Sequence, residues 1–124
     1  MAKNCKISRW SILKNQLNNL TPEEFKNGFQ NTRGAVVIDC RKPEELLSGK
    51  LFEARNVNYL GDDLLEQIES LDRETHYFVY CQSGRRSLRT CMLFKNGGIK
   101  NVYNLDGGLN SWKEVFGEEA IKPD

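Results

Sequence analysis

The sequence predicts an α/β fold: a doubly wound parallel sheet of about four or five strands with helices on both faces. Three observations predict it. Ala35-Val36-Val37-Ile38-Asp39 and Tyr77-Phe78-Val79-Tyr80 are apolar runs without alternation, the mark of strands buried on both sides. Segments with helical spacing of apolar residues follow each of them. Glycines at Gly49, Gly97-Gly98 and Gly107-Gly108 punctuate the alternation. At 124 residues the chain fits one domain, taking about 150 residues per domain as a prior, and is long enough for a core without disulfide or metal staples.

Taken in order, Trp10, Leu13, Leu17 and Leu20 lie three or four apart and suggest one helical face. They belong to an N-terminal extension, residues 1–17, read as a packed helix or arm, ahead of a domain over 18–117 and a tail over 118–124. Thr21-Pro22-Glu23-Glu24 is a helix start, with a capping hydroxyl, a proline at the first position and early acids; this helix is expected to end near Gly28. After the first buried strand, Pro43-Glu44-Glu45-Leu46-Leu47 begins a short helix that Gly49 stops, and Ala54 to Val57 suits a further short strand. From Asp62 the set Leu64, Leu65, Ile68 and Leu71 fits one helical stripe. The Tyr77–Tyr80 strand leads through a glycine-containing loop to a helix carrying Leu88, Cys91 and Met92. Val102 to Leu105 is a last strand, and Asp106 is the expected N-cap of a closing helix containing Trp112, a core residue.

Charge and cysteine content narrow the function. Eighteen basic against seventeen acidic residues leave a net charge of +1, so no overall field recruits nucleic acid or anionic membrane, and any anion chemistry is local. No apolar run approaches the ~18 residues of a membrane span. Cys5, Cys40, Cys81 and Cys91 form no C-x-x-C pair, and the only histidine is His76. That spacing offers neither a zinc site nor a disulfide framework, so no metal and no cofactor are expected. The first twenty residues lack the apolar stretch of a secretion signal. Their freedom from acids is compatible with a transit peptide, but Arg9 is their sole arginine, and a reducing cytoplasm is the expectation.

The chemistry concentrates in Cys81-Gln82-Ser83-Gly84-Arg85-Arg86-Ser87, between a buried strand and a helix. In parallel α/β sheets, ligands bind beyond the carboxyl ends of the strands, and Asp39-Cys40-Arg41 is placed on that same edge. Gly84 allows a turn tight enough for successive N–H groups to point inward, and with the helix start they form a nest for an anion. Arg85 and Arg86 add positive charge, and which of them points inward stays open. A free thiol with pKa ~8.5 is mostly protonated at neutrality; lowering that by two units needs ~2.7 kcal/mol of thiolate stabilisation. Amide donors, a helix terminus and a nearby arginine together can supply it, so no general base is required. His76 stands at the far end of its strand, about 16 Å away at ~3.3 Å per residue, which disfavours a Cys–His hydrolase.

The chain resembles the single-domain rhodanese-like sulfurtransferases from about Leu20 to Phe116. The matching residues are Val37-Ile38-Asp39-Cys40-Arg41 with Pro43-Glu44-Glu45, then Val79 to Ser87, Gly97-Gly98, and Val102 to Gly108 with Trp112. The resemblance implies a doubly wound parallel sheet and persulfide chemistry. Cys81 would take a sulfane sulfur from a small anionic donor such as thiosulfate and pass it to cyanide, a thiol or a sulfur-accepting protein. Gln82, Ser83, Gly84, Arg85, Arg86 and Ser87 would bind the donor and the terminal sulfur. Where many members read Gly-His-Ile-Pro-Gly-Ala, this chain has Gly49-Lys50-Leu51-Phe52-Glu53-Ala54, so local geometry there is open.

Other roles stay in view. Asp39 and Arg41 either pair with each other or brace the Cys81 loop. Cys91 is read as core packing; Cys40 as packing or a contact of the site, with the further option of resolving a persulfide on Cys81; Cys5 as inert. A non-catalytic binding module that kept the fold is one alternative function. A cysteine-dependent phosphatase or arsenate reductase is another, although the arginine of a C-x5-R loop would stand where this chain has Ser87. A thiol sealed in hydrocarbon at position 81 would exclude the sulfur chemistry.

Overall fold

Unbroken runs of β-branched and aromatic residues are satisfied where apolar material covers both sides of a sheet, and the two central strands lie there. The computed structural model describes residues 17–118 and 121. Its strands are β1 (Asn18–Leu20), β2 (Val36–Asp39), β3 (Arg55–Asn56), β4 (His76–Tyr80) and β5 (Asn101–Leu105), all parallel, in the order β1-β5-β4-β2-β3. The helices are α1 (Pro22–Asn31), α2 (Leu64–Glu69), α3 (Arg85–Asn96) and α4 (Gly108–Phe116), with a 3-10 turn at Pro43–Ser48.

The two-residue side-chain period of a strand splits the central runs between two cores. Val37, Phe78 and Tyr80 pack with Phe25 of α1 and with Leu109 and Trp112 of α4. Ile38, Tyr77 and Val79 pack with Leu88, Cys91 and Phe94 of α3 and with Ile68 of α2. Phe25 meets Phe78 and Trp112 edge-on, with ring centroids 5.5 and 6.3 Å apart. Burying each such side chain contributes about 1.5–3 kcal/mol, so the two faces together carry most of the sheet's stability. Cys40 and Cys81, each one residue past its strand, fall on the α3 face.

Four expectations are corrected. The first helix runs on to Asn31 rather than ending near Gly28. A Cβ on Gly28 would stand 2.9 Å from the Phe78 ring, so this glycine serves close packing inside the helix rather than stopping it. The helical face drawn through Leu17 and Leu20 is not there. Asn18–Leu20 pairs with β5, where Asn18 Nδ2 donates to the Val102 carbonyl and Asn19 Oδ1 accepts from Asn104. Spacing alone could not see so distant a strand partner; Trp10, Leu13 and Cys5 lie outside the described residues. Leu65 is 64% exposed because a helix as short as α2 buries one edge, that of Leu64 and Ile68. Asp106 does not cap the closing helix, since Gly107 holds that position, and the Asp106 N–H instead donates to the Leu20 carbonyl at 2.9 Å.

Candidate active site

β2 and β4 are neighbours, and the chain leaves them toward opposite faces. After β2 it reaches Leu51 and Ala54 in the α1/α4 layer, and after β4 it enters α3 in the other. The carboxyl ends of these two strands therefore form the switch point of the sheet, where such folds open a binding crevice. Asp39-Cys40-Arg41 and the Cys81 loop meet there, as their positions after two buried strands imply.

Cys81 follows β4 directly, and Gly84 turns the chain back with φ 94°, a left-handed conformation that costs glycine little. The turn aims the Gly84 N–H at Cys81 Sγ from 3.1 Å and the Ser87 N–H from 3.3 Å. Ser87 is the third residue of α3, so the sulfur sits at the electropositive end of that helix. The start of α4 grips the loop from its other side. Leu109 N–H donates to the Cys81 carbonyl at 2.9 Å and Asn110 N–H to the Gln82 carbonyl at 3.0 Å. Gly108 makes this approach possible, because a Cβ there would lie 2.5 Å from the Cys81 oxygen and 2.6 Å from that of Gln82.

The sulfur itself has no exposed surface, but its lining is not hydrocarbon alone. Cys81 is drawn down to about 5, chiefly because the Cys40 thiol donates to it; burial opposes the shift, while the Ser87 hydroxyl and the Ser87 and Gly84 N–H groups deepen it. Cys40 moves the opposite way, raised by its own burial and by the charge on Cys81. Its single hydrogen has two acceptors in reach, the Tyr80 carbonyl at 3.3 Å and the Cys81 sulfur, and an ionised acceptor holds it more strongly. Ser87 Oγ is likewise buried without a conventional partner among the described residues, leaving its hydrogen for the thiolate. Cys91 is buried in the α3 core and raised by that burial.

Both readings of Asp39 and Arg41 hold at once. The Arg41 guanidinium binds Asp39 through Nε at 3.1 Å and Nη2 at 2.8 Å, with both residues buried. Arg41 also donates to the Gly49 carbonyl at 2.7 Å and to Gln82 Oε1 at 3.4 Å, tying the end of β2 to the Cys81 loop. Gln82 completes the tie by donating to Asn110 Oδ1 at 2.8 Å. The open segment after the 3-10 turn is set by Tyr80, whose hydroxyl accepts from the Leu51 N–H at 3.0 Å. Phe52 there has φ 53° and sets its ring 4.7 Å from that of Phe29 and 5.8 Å from that of Trp112.

The charge of Arg86 bears on Cys81 and Cys40. It is half-buried and held by Glu45 at 3.0 and 3.3 Å, which keeps that carboxyl below its usual range. Arg85 and Ser83 are exposed. His76 begins β4 and faces the Tyr103 hydroxyl at 2.9 Å, at the strand end away from Cys81. Sequence reasoning missed Glu45 as the partner of Arg86. It also missed Asn56, which donates to the Asp39 and Arg41 carbonyls at 2.9 Å, and the clamp from Gly108 to Asn110. The paired glycines before α4 were the one signal of that clamp.

A parallel sheet delivers Cys81 to an amide-lined loop at a helix start. The chain belongs to the rhodanese-like family, whose description as a rhodanese-like domain matches residues 21–115. It is 33% identical over 93 residues to the uncharacterized protein YqhL of Bacillus subtilis, covering 75% of this chain and 70% of that one. The putative sulfurtransferase YtwF of the same organism is 29% identical, with 79% and 92% covered. The thiosulfate sulfurtransferase GlpE of Pseudomonas paraeruginosa is 28% identical, with 78% and 84% covered. These relatives support a sulfurtransferase family. A rhodanese-like domain protein from Staphylococcus aureus superposes with a TM-score of 0.73 at 23% identity, over 87% of this chain and 99% of that one, which shows the shared fold. Among the described residues no helix is long and apolar enough to cross a membrane, and no group of His, Cys, Asp and Glu is placed to hold a metal ion.

Proposed function

We propose that this protein transfers a sulfane sulfur from a small anionic donor, thiosulfate or a chemical equivalent, to a thiophilic acceptor through a persulfide on Cys81. The observation that carries this reading is the pair of main-chain N–H groups, from Gly84 and Ser87, that converge on one sulfur at a helix start. The thiolate they favour attacks the outer sulfur of thiosulfate. A new S–S bond forms, the donor's S–S bond breaks, and sulfite leaves with the electron pair. The terminal sulfur of Cys81–S–S⁻ then carries the charge, and donors fixed before reaction stabilise it without reorganising. Cyanide or a thiolate attacks that terminal sulfur and restores the Cys81 thiolate. Arg86 supplies positive charge for the incoming anion, while Gln82, held by Arg41 and Asn110, fixes the loop wall.

The loop's shortness favours sulfur over a phosphoryl group, because its inward amides already converge on a single atom. A sulfur-accepting protein is a further acceptor of the same chemistry. The three free cysteines among the described residues suit a reducing cytoplasm. The test is incubation with thiosulfate followed by intact mass: wild type gains one sulfur that cyanide removes, and Cys81→Ser loses at least about a thousandfold of the transfer rate, as expected for loss of a nucleophile. No sulfur gain from thiosulfate or from polysulfide overturns the proposal in favour of a binding module.

A further inference from the structure

A second thiol stands beside the first, and its position is set by backbone. The register of β2 and β4 pairs Asp39 with Tyr80, so Cys40 and Cys81 are the next two residues side by side. The Cys40 N–H donates to the Tyr80 carbonyl at 3.0 Å, carrying the ladder one residue beyond the strands. Both side chains lie on the α3 face and both are wholly buried. Neighbouring strands run about 4.8 Å apart, inside the Cα separation of about 4.4–6.8 Å that a disulfide accepts.

From this juxtaposition we propose a second activity, resting on the persulfide reading above: in the absence of an acceptor, Cys40 attacks the inner sulfur of the Cys81 persulfide, releases hydrosulfide and closes a Cys40–Cys81 disulfide. The step balances. The Cys40 sulfur bonds to Cys81 Sγ while the bond from Cys81 Sγ to the terminal sulfur breaks. The terminal sulfur takes that electron pair and the Cys40 proton and leaves as HS⁻. Its sulfane sulfur is thereby reduced, and the two cysteine sulfurs are oxidised to a disulfide. Two equivalents of a low-molecular-weight thiol reopen the bridge, leaving as their own disulfide.

The pairing also explains an otherwise costly arrangement. A thiol that only filled space next to a thiolate could be replaced by any small apolar residue, whereas here a protonated sulfur is kept within reach of the ionised one. Closure would halt turnover with the loop intact. Sulfur would then leave as a small diffusible species when no acceptor engages the site, and the enzyme would wait for thiol.

The experiment loads the full chain with thiosulfate or polysulfide, removes the donor by desalting, and follows sulfide release, intact mass and non-reducing peptide maps. Wild type is expected to release hydrosulfide, end two hydrogens lighter than the reduced protein, and yield one peptide joining Cys40 to Cys81. Cys40→Ser, which keeps a hydrogen-bond donor, is expected to load sulfur and retain it more than about tenfold longer, because attack by a held neighbour outpaces attack from solution. Cys91→Ala is expected to release sulfide with the wild-type product. Loading followed by equal persistence in wild type and Cys40→Ser overturns this inference alone, as does a bridge to Cys91. Failure of wild type to load from either donor overturns the persulfide reading and this inference together.

Discussion

Cys40 and Cys81 occupy equivalent places, one residue past adjacent parallel strands and on the same face of the sheet, yet they are driven in opposite directions. After β4 the chain turns at Gly84 into a helix, and amide hydrogens gather around the sulfur. After β2 it runs through Arg41 into a 3-10 turn. Asp39 and Arg41 pair with each other there, and the buried Cys40 has the Tyr80 carbonyl and the Cys81 sulfur as acceptors. Residue type and strand position are thus a weak guide to thiol chemistry. What decides is which hydrogens reach each sulfur: Cys81 gathers those of the Cys40 thiol, the Ser87 hydroxyl and the Ser87 and Gly84 N–H groups, while Cys40 faces acceptors.

The comparison breaks most severely at the ion pair that organises the β2 side. Asp39→Ala leaves the buried Arg41 guanidinium without its carboxylate, and loss of one partner of such a pair costs about 3–5 kcal/mol. Urea unfolding should show a drop of that size. If the drop stays near that of a surface substitution, the pair does not hold the two loops together.

A second measurement sharpens the contrast between the thiols. The Cys81 value of about 5 lies below that of an unfolded cysteine, about 8.5. Its alkylation rate by iodoacetamide should therefore rise as pH passes about 5 and level off above it, where an ordinary thiol is still climbing. By linkage, the stabilisation from this group is fully present above the unfolded value and is lost as pH falls through the folded one. Cys40→Ala removes the strongest donor to the thiolate, and the midpoint should climb by about one unit or more, corresponding to ~1.4 kcal/mol per unit. An unmoved midpoint would assign the lowered value to the loop amides alone.

The smallest effect separates the two arginines. Arg86→Ala should raise the KM for thiosulfate several-fold, and Arg85→Ala should change it less. Thermal melts of Arg86→Ala should move little, since partly exposed ion pairs contribute about 0.2–1 kcal/mol. Equal KM values for the two variants would remove the distinction.

Much of this was legible in the chain. The runs at Val36–Asp39 and Tyr77–Tyr80 announced central strands because only a doubly covered sheet satisfies them, and the capping pattern Thr21–Glu24 marked the start of its helix to the residue. Cys81 and Gly84 were recognisable because a glycine between a buried strand and a helix has few other uses. What stayed hidden depends on residues far apart in sequence. The strand at Asn18–Leu20 exists because β5 offers an edge, Gly28 is filled by the ring of Phe78, and Arg86 is held by Glu45, 41 residues away in another element.

The amino-acid order alone therefore determined the layers, the strand ends and the cysteine poised between strand and helix, since those follow from local periodicity and turn chemistry. Tertiary structure alone decided which carbonyls α4 would take from the loop, which guanidinium Glu45 would hold and which of two neighbouring thiols would hold the proton. Those outcomes are set by distances between segments that local pattern does not encode, and a hydrogen bond or a charge acts through distance.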